Sequence, residues 1–142
     1  SSWPGCGSSR DEPHINVSSP RAPSLKKETM SVDIEHRLVL CTCPDQETAL
    51  DLGTRLVEQR LAACVNLVPG LISIYRWDAA VQRDPEVLLL VKTRSDRLDD
   101  LIESLHRLHP YDVPEIIAVP IVAGLPEYLS WVSQCTQPSV PD

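Results

Sequence analysis

The sequence predicts an α+β protein with a ferredoxin-like βαββαβ core and an extra C-terminal helix. Three observations carry this reading. Two segments hold an apolar stripe at helical spacing. Apolar, β-branched runs flank each of them. The two middle runs follow one another with only a turn between them, as in a hairpin. That order is the split βαβ unit. Its crossovers are expected to be right-handed, with both helices on one face of the sheet.

The elements follow in order. HRLVLCTC, residues 36–43, is short, apolar and closed by Pro44, which predicts a strand. DQETALDLGTRLVEQRLAA predicts a helix with Ala49, Leu52, Leu56 and Val57 on its apolar face. Pro44, Asp45 and Glu47 suit a helix start. CVNLVPGLISIYRWD, residues 64–78, predicts a long strand bent at Pro69-Gly70. A turn near Asp78 to Ala80 leads to a strand in DPEVLLLVKT, residues 84–93. SDRLDDLIESLHRLH predicts the second helix, with Ser95 as N-cap and Leu98, Leu101, Ile102, Leu105 and Leu108 as its stripe. Pro110 ends it. VPEIIAVPIVAG predicts a strand whose Pro120 points to an edge or a bulge. LPEYLSWVSQC predicts a short amphipathic helix opening at Pro126.

The chain of 142 residues is long enough for one domain with a real core. Residues 1–35, rich in Ser and Pro, read as a flexible tail or leader, and 137–142 as a C-terminal tail. The folded domain is assigned to 36–136. Met30 is the only methionine, so translation is expected to start there, with residues 1–29 outside the fold. Trp3, Cys6 and His14 are isolated within that leader. A net charge of −7 speaks against nucleic acid as the main partner. The absence of phenylalanine leaves few residues to stack on bases. No run is long enough to span a membrane, and no secretory signal is recognised. Five cysteines without a repeating frame favour reduced thiols, hence a cytoplasmic protein.

The stretch LCTCPD, residues 40–45, is where spacing points to chemistry. It reads as a metal site, a redox pair or two buried thiols. Residues i and i+2 of a strand face the same side, so Cys41 and Cys43 converge. Two thiolates suit Cu(I), and an added imidazole suits Cu(II) or Zn. Both side chains also serve as small hydrophobes filling a sheet face. Cys64 reads as core, and Cys135 has no assigned role. The middle hairpin is too long for one small sheet, and one sheet face lacks a cover. Other subunits are therefore expected to pair with its edges.

Six ordered blocks carry a family resemblance: VLCTCPD, RLAACVNLVPG, IYRW, EVLLLVKT, HPYDVPEI and YLSWV. With these the chain resembles the CutA family of divalent-cation tolerance proteins from about Leu38 to Trp131. The resemblance implies a homotrimer of PII-like architecture, copper tolerance and binding of a divalent metal, copper foremost. It implies a protein partner as well, since animal members are linked to acetylcholinesterase anchoring. Its metal ligands map to Cys41 and His109. Cys43, Trp77, Lys92, Tyr111 and Glu115 are further cleft candidates. The chain departs from the family pattern at Leu108, where some members carry histidine. It departs again at Cys43, where a small residue is usual, and at Asp78-Ala79-Ala80, where the turn usually holds glycine.

Each candidate also has a plainer role. His109 suits a helix C-terminus, where it satisfies the last carbonyls. Glu115 is either an oxygen ligand or the partner of a base such as Lys92. Trp77 and Tyr111 are either walls of an intersubunit cleft or packing. Two rival functions stand beside metal handling. One is a PII-like signalling or interaction scaffold with incidental metal binding. The other is an enzyme, which the sequence disfavours. CTCPDQ lacks the glycine and arginine of an anion-cradling acylphosphatase loop. No C-x-x-C chaperone motif, P-loop, dinucleotide fingerprint or H-E-x-x-H motif occurs.

Overall fold

The computed structural model describes residues 35–138. Residues 1–34 and 139–142, with Trp3, Cys6, His14 and Met30 and most of both expected tails, lie outside the described residues. Among the described residues, four strands and three α-helices run in the order β1 (His36–Cys43), α1 (Gln46–Glu58), β2 (Cys64–Trp77), β3 (Ala80–Arg94), α2 (Leu98–Leu108), β4 (Ile116–Ile121) and α3 (Pro126–Cys135). The sheet is antiparallel, with strand order β2-β3-β1-β4. This is the expected ferredoxin-like α+β arrangement.

Alternation places the core. Val39, Cys41 and Cys43 of β1 and Val87, Leu89 and Val91 of β3 share one face. Ala49, Leu52 and Leu56 of α1 and Leu101 and Leu105 of α2 close over them. Val57 does not belong to this stripe. It is 43% exposed and lines an open groove with Leu50, Val65 and Leu67. Gly53 takes the inward position instead, because a Cβ there would lie 3.2 Å from Val65 Cγ1.

The helix ends differ from expectation in instructive ways. Asp45 caps α1 by accepting from the Thr48 N–H at 2.8 Å. The helix stops at Glu58 rather than running to Ala63. Arg60 adopts φ 61°, and the Leu61 and Arg60 N–H groups return to the Leu56 and Val57 carbonyls. That is a Schellman closure with arginine where glycine is usual. Ser95 does not cap α2. It opens a 3-10 turn, Ser95–Arg97, and its N–H donates to the Glu35 carbonyl at 2.7 Å. α2 ends at Leu108, and His109 is extended ahead of Pro110.

The hairpin turns on two residues, Asp78 at φ 52° and Ala79 at φ 64°. Such a turn matches strand twist and usually takes glycine. β3 begins at Ala80, four residues earlier than the sequence reading. The strand includes Pro85, which a central strand would exclude. Among the described residues, 80–86 pair with β2 alone, so Pro85 lies where the strand has one neighbour and proline is tolerated. The register shift between Val68 and Leu71, with Gly70 at φ 84°, is the expected bend at Pro69-Gly70. Among the described residues β4 pairs only with β1, which makes it the edge that Pro120 tolerates.

Among the described residues, only α1 and α2 cover the core face. α3 lies across the opposite face at one end of the sheet. There Ser133 Oγ meets His36 Nε2 at 2.9 Å, and Arg94 donates to the Ser133 carbonyl. Ala63, Val132 and Cys135 form a second buried cluster beneath it. Ile117 and Val119, beyond α3, remain half exposed on that face.

Candidate metal centre

The end of β1 and the end of α2 meet at one corner of the core. β1 delivers Cys41 and Cys43 to the helix-covered face because they are two residues apart in a strand. Pro110 stops α2, so the chain turns at His109 and aims its ring back at β1. The donor atoms of Cys41, Cys43 and His109 all lie within 4.8 Å of one another, and all three residues are buried. The sequence reading gave Cys41 and His109 as the ligand pair and Cys43 as a further candidate. The structure brings Cys43 as close as the other two.

The hydrogen bonds fix the state of each group. The Tyr111 N–H donates to His109 Nδ1 at 3.1 Å. Nδ1 is therefore an acceptor, and the ring proton sits on Nε2, which donates to the Thr42 carbonyl at 2.8 Å. The ring does not cap its own helix. It ties the end of α2 to β1. Tyr111 stacks beside it at a ring-centroid distance of 4.8 Å.

The two thiols are hydrogen-bonded to each other. The hydrogen bond to Cys43, together with burial, pushes the Cys41 thiol up. The same hydrogen bond pulls Cys43 down against the effect of burial. Of the two, Cys43 is therefore the more readily ionised. A disulfide between them is disfavoured. Alternate residues of a strand put their Cα atoms about 6.6 Å apart, near the long limit of about 6.8 Å for that bond.

Glu86 is a residue the sequence reading missed. Its carboxylate accepts from Ser73 Oγ at 2.6 Å and from the Tyr111 hydroxyl at 2.9 Å. Burial and this carboxylate push the Tyr111 hydroxyl up. Glu86 stands next to Val87, the register partner of Cys43, and β-register was the only signal that could have found it. Glu115 is exposed, one residue before Ile116, the partner of Cys41. Its charge reaches Cys41.

Two candidates are not brought to this corner. Lys92 lies on the opposite sheet face, with the alternating set that includes Leu88 and Leu90. It donates to Asn66 and lies 3.8 Å from Cys64 Sγ, so Glu115 is not its partner. Beside Cys64, burial first and then that thiol push Tyr128 up to about 12. Trp77 sits at the hairpin tip, 65% exposed. Its pairing partner Ala80 is seven positions from Val87, on the order of 23 Å along the strand.

The profile of the CutA1 divalent ion tolerance protein family matches residues 37–135. The chain belongs to the CutA1 divalent ion tolerance family. It is 54% identical over 99 residues to the divalent-cation tolerance protein CutA of Thermus thermophilus, covering 70% of this chain and 96% of that one. It is 46% identical over 96 residues to the mouse protein CutA, covering 68% and 54%. It thus spans nearly the whole bacterial relative and about half of the mouse one. Solved CutA1 structures share the fold. The Thermus thermophilus protein superposes with a TM-score of 0.70 at 52% identity, over 72% of this chain and 99% of that one. The Oryza sativa protein does so at 0.72 and 44%, over 74% and 96%.

Proposed function

We propose that the chain is a homotrimeric metal-binding protein acting in metal tolerance, with copper as its ion and the corner at Cys41, Cys43 and His109 as its site. The buried donor cluster is the observation that carries this reading. Sulfur and imidazole donors are the set that soft and borderline ions prefer. The family's name as a divalent ion tolerance protein supports the same class of function. Trimer formation is supported by the part of the hairpin that overhangs the sheet. Ile72, Ile74, Trp77 and Val81 are exposed there, an apolar arm fitted to further copies of the chain. Free thiols at Cys41, Cys43 and Cys64 favour a reducing compartment such as the cytoplasm, while Cys135 is disulfide-bonded, against the expectation of reduced thiols throughout, and speaks for an oxidising one. Localisation of the tagged protein to an oxidising compartment contradicts that part.

The test is a copper and zinc titration of the reduced protein beside a Cys41→Ser variant, with mass followed by light scattering. Stoichiometric binding that the variant loses at trimer mass supports the reading. Equal binding by both proteins, or none, refutes it. The same exposed arm also favours a scaffold that holds a protein partner. In that case partner binding survives Cys41→Ser and fails when Ile72 and Ile74 become polar.

A further inference from the structure

We propose that Cys41 and Cys43 together form a two-thiolate site for monovalent copper, Cu(I), with His109 as the bracket that positions it rather than a ligand. This rests on the metal-binding reading above and specifies the ion and its donors. Four observations converge. Both cysteines project to one face from alternate strand positions and are fully buried. Their sulfurs lie within 4.8 Å of each other. Two metal–sulfur bonds of about 2.3 Å span up to about 4.6 Å, so one ion bridges them after a small shift. Both nitrogens of His109 already hold hydrogen bonds, to the Thr42 carbonyl and the Tyr111 N–H. Ligation by the ring forfeits one of these.

The oxygen donors nearby do not complete a harder site. Both Glu86 oxygens are engaged by hydroxyls, and Glu115 is exposed. Structural zinc takes four donors. Cu(I), a closed-shell ion, is satisfied by two soft ones. Its binding displaces the protons of the two thiols to solvent, with no change in oxidation state. Cys43 thereby turns one corner of a divalent-cation fold toward a monovalent ion.

The test titrates Cu(I) anaerobically into the reduced, full-length protein against a chromophoric Cu(I) chelator. Cys43→Ala and His109→Gln are run alongside, and circular dichroism checks folding. X-ray absorption at the copper edge counts the neighbours. The expected result is one Cu(I) per protomer with sulfur neighbours only. Cys43→Ala then weakens binding by more than the roughly 100-fold that losing an outer-sphere partner brings. His109→Gln keeps the all-sulfur spectrum. A nitrogen neighbour that disappears in His109→Gln overturns the proposal. So does unchanged Cu(I) affinity in Cys43→Ala. In either case metal binding itself persists and the broader reading stands. Binding of no metal at all overturns both.

Discussion

His109 is expected to matter to the fold before it matters to any ion. In His109→Ala, the Thr42 carbonyl and the Tyr111 N–H both lose their partner. Each lost bond is worth about 1 kcal/mol, and the buried carbonyl adds a desolvation penalty. The ring is only 7% exposed, so its removal also leaves unfilled volume. Together these put the loss at roughly 3 kcal/mol. With a urea slope of about 2 kcal/mol/M, the midpoint falls by about 1.5 M. Urea unfolding of the metal-free protein, at one fixed protomer concentration, reads this directly, because assembly makes stability concentration-dependent. His109→Gln, whose amide can still donate to the Thr42 carbonyl, recovers part of the loss. An unchanged midpoint in His109→Ala refutes the bracket and returns the ring to the role of a free ligand.

Further outcomes follow from the backbone and the carboxylates. Ala79→Gly relieves a left-handed alanine in the hairpin turn and raises stability by about 1 kcal/mol, read as a higher thermal midpoint. Arg60→Gly acts in the same direction at the close of α1. Asp45 is held below the usual carboxylate range by the Thr48 N–H, and Asp96 by its hydrogen bonds from Arg94. A lowered folded pKa stabilises above the unfolded value, about 3.9 for Asp, and that contribution is lost as pH falls through the folded value. Acid unfolding is therefore expected to steepen below about pH 4 and to flatten in Asp96→Asn, as circular dichroism against pH will show.

Period and breakers made the architecture legible. The stripe of α2, the stop at Pro110 and the bend at Pro69-Gly70 all follow from local chemistry. Alternation alone placed Cys41 and Cys43 on one face. Where local rules failed, tertiary pairing had overridden them. Pro85 is tolerated because β3 overhangs its neighbour there, and Ser95 is drawn to Glu35 instead of capping a helix. Val57 yields its inward place to Gly53, which only the approach of Val65 explains. At the site, the sequence put His109 and the thiols on the same short list, but not in contact. That contact depends on where the α2 crossover returns, as do the hydrogen bonds that occupy the ring. Lys92 and Trp77 entered as cleft candidates through motif position, and within one protomer both lie away from the Cys41 corner.

Anomalous diffraction at the copper edge, on crystals of the reduced protein loaded with Cu(I), tests the central claim most directly. The account predicts one peak per protomer between Cys41 Sγ and Cys43 Sγ, with His109 still bonded to the Thr42 carbonyl. A peak at Glu86 or Glu115, or on the exposed hairpin, contradicts it.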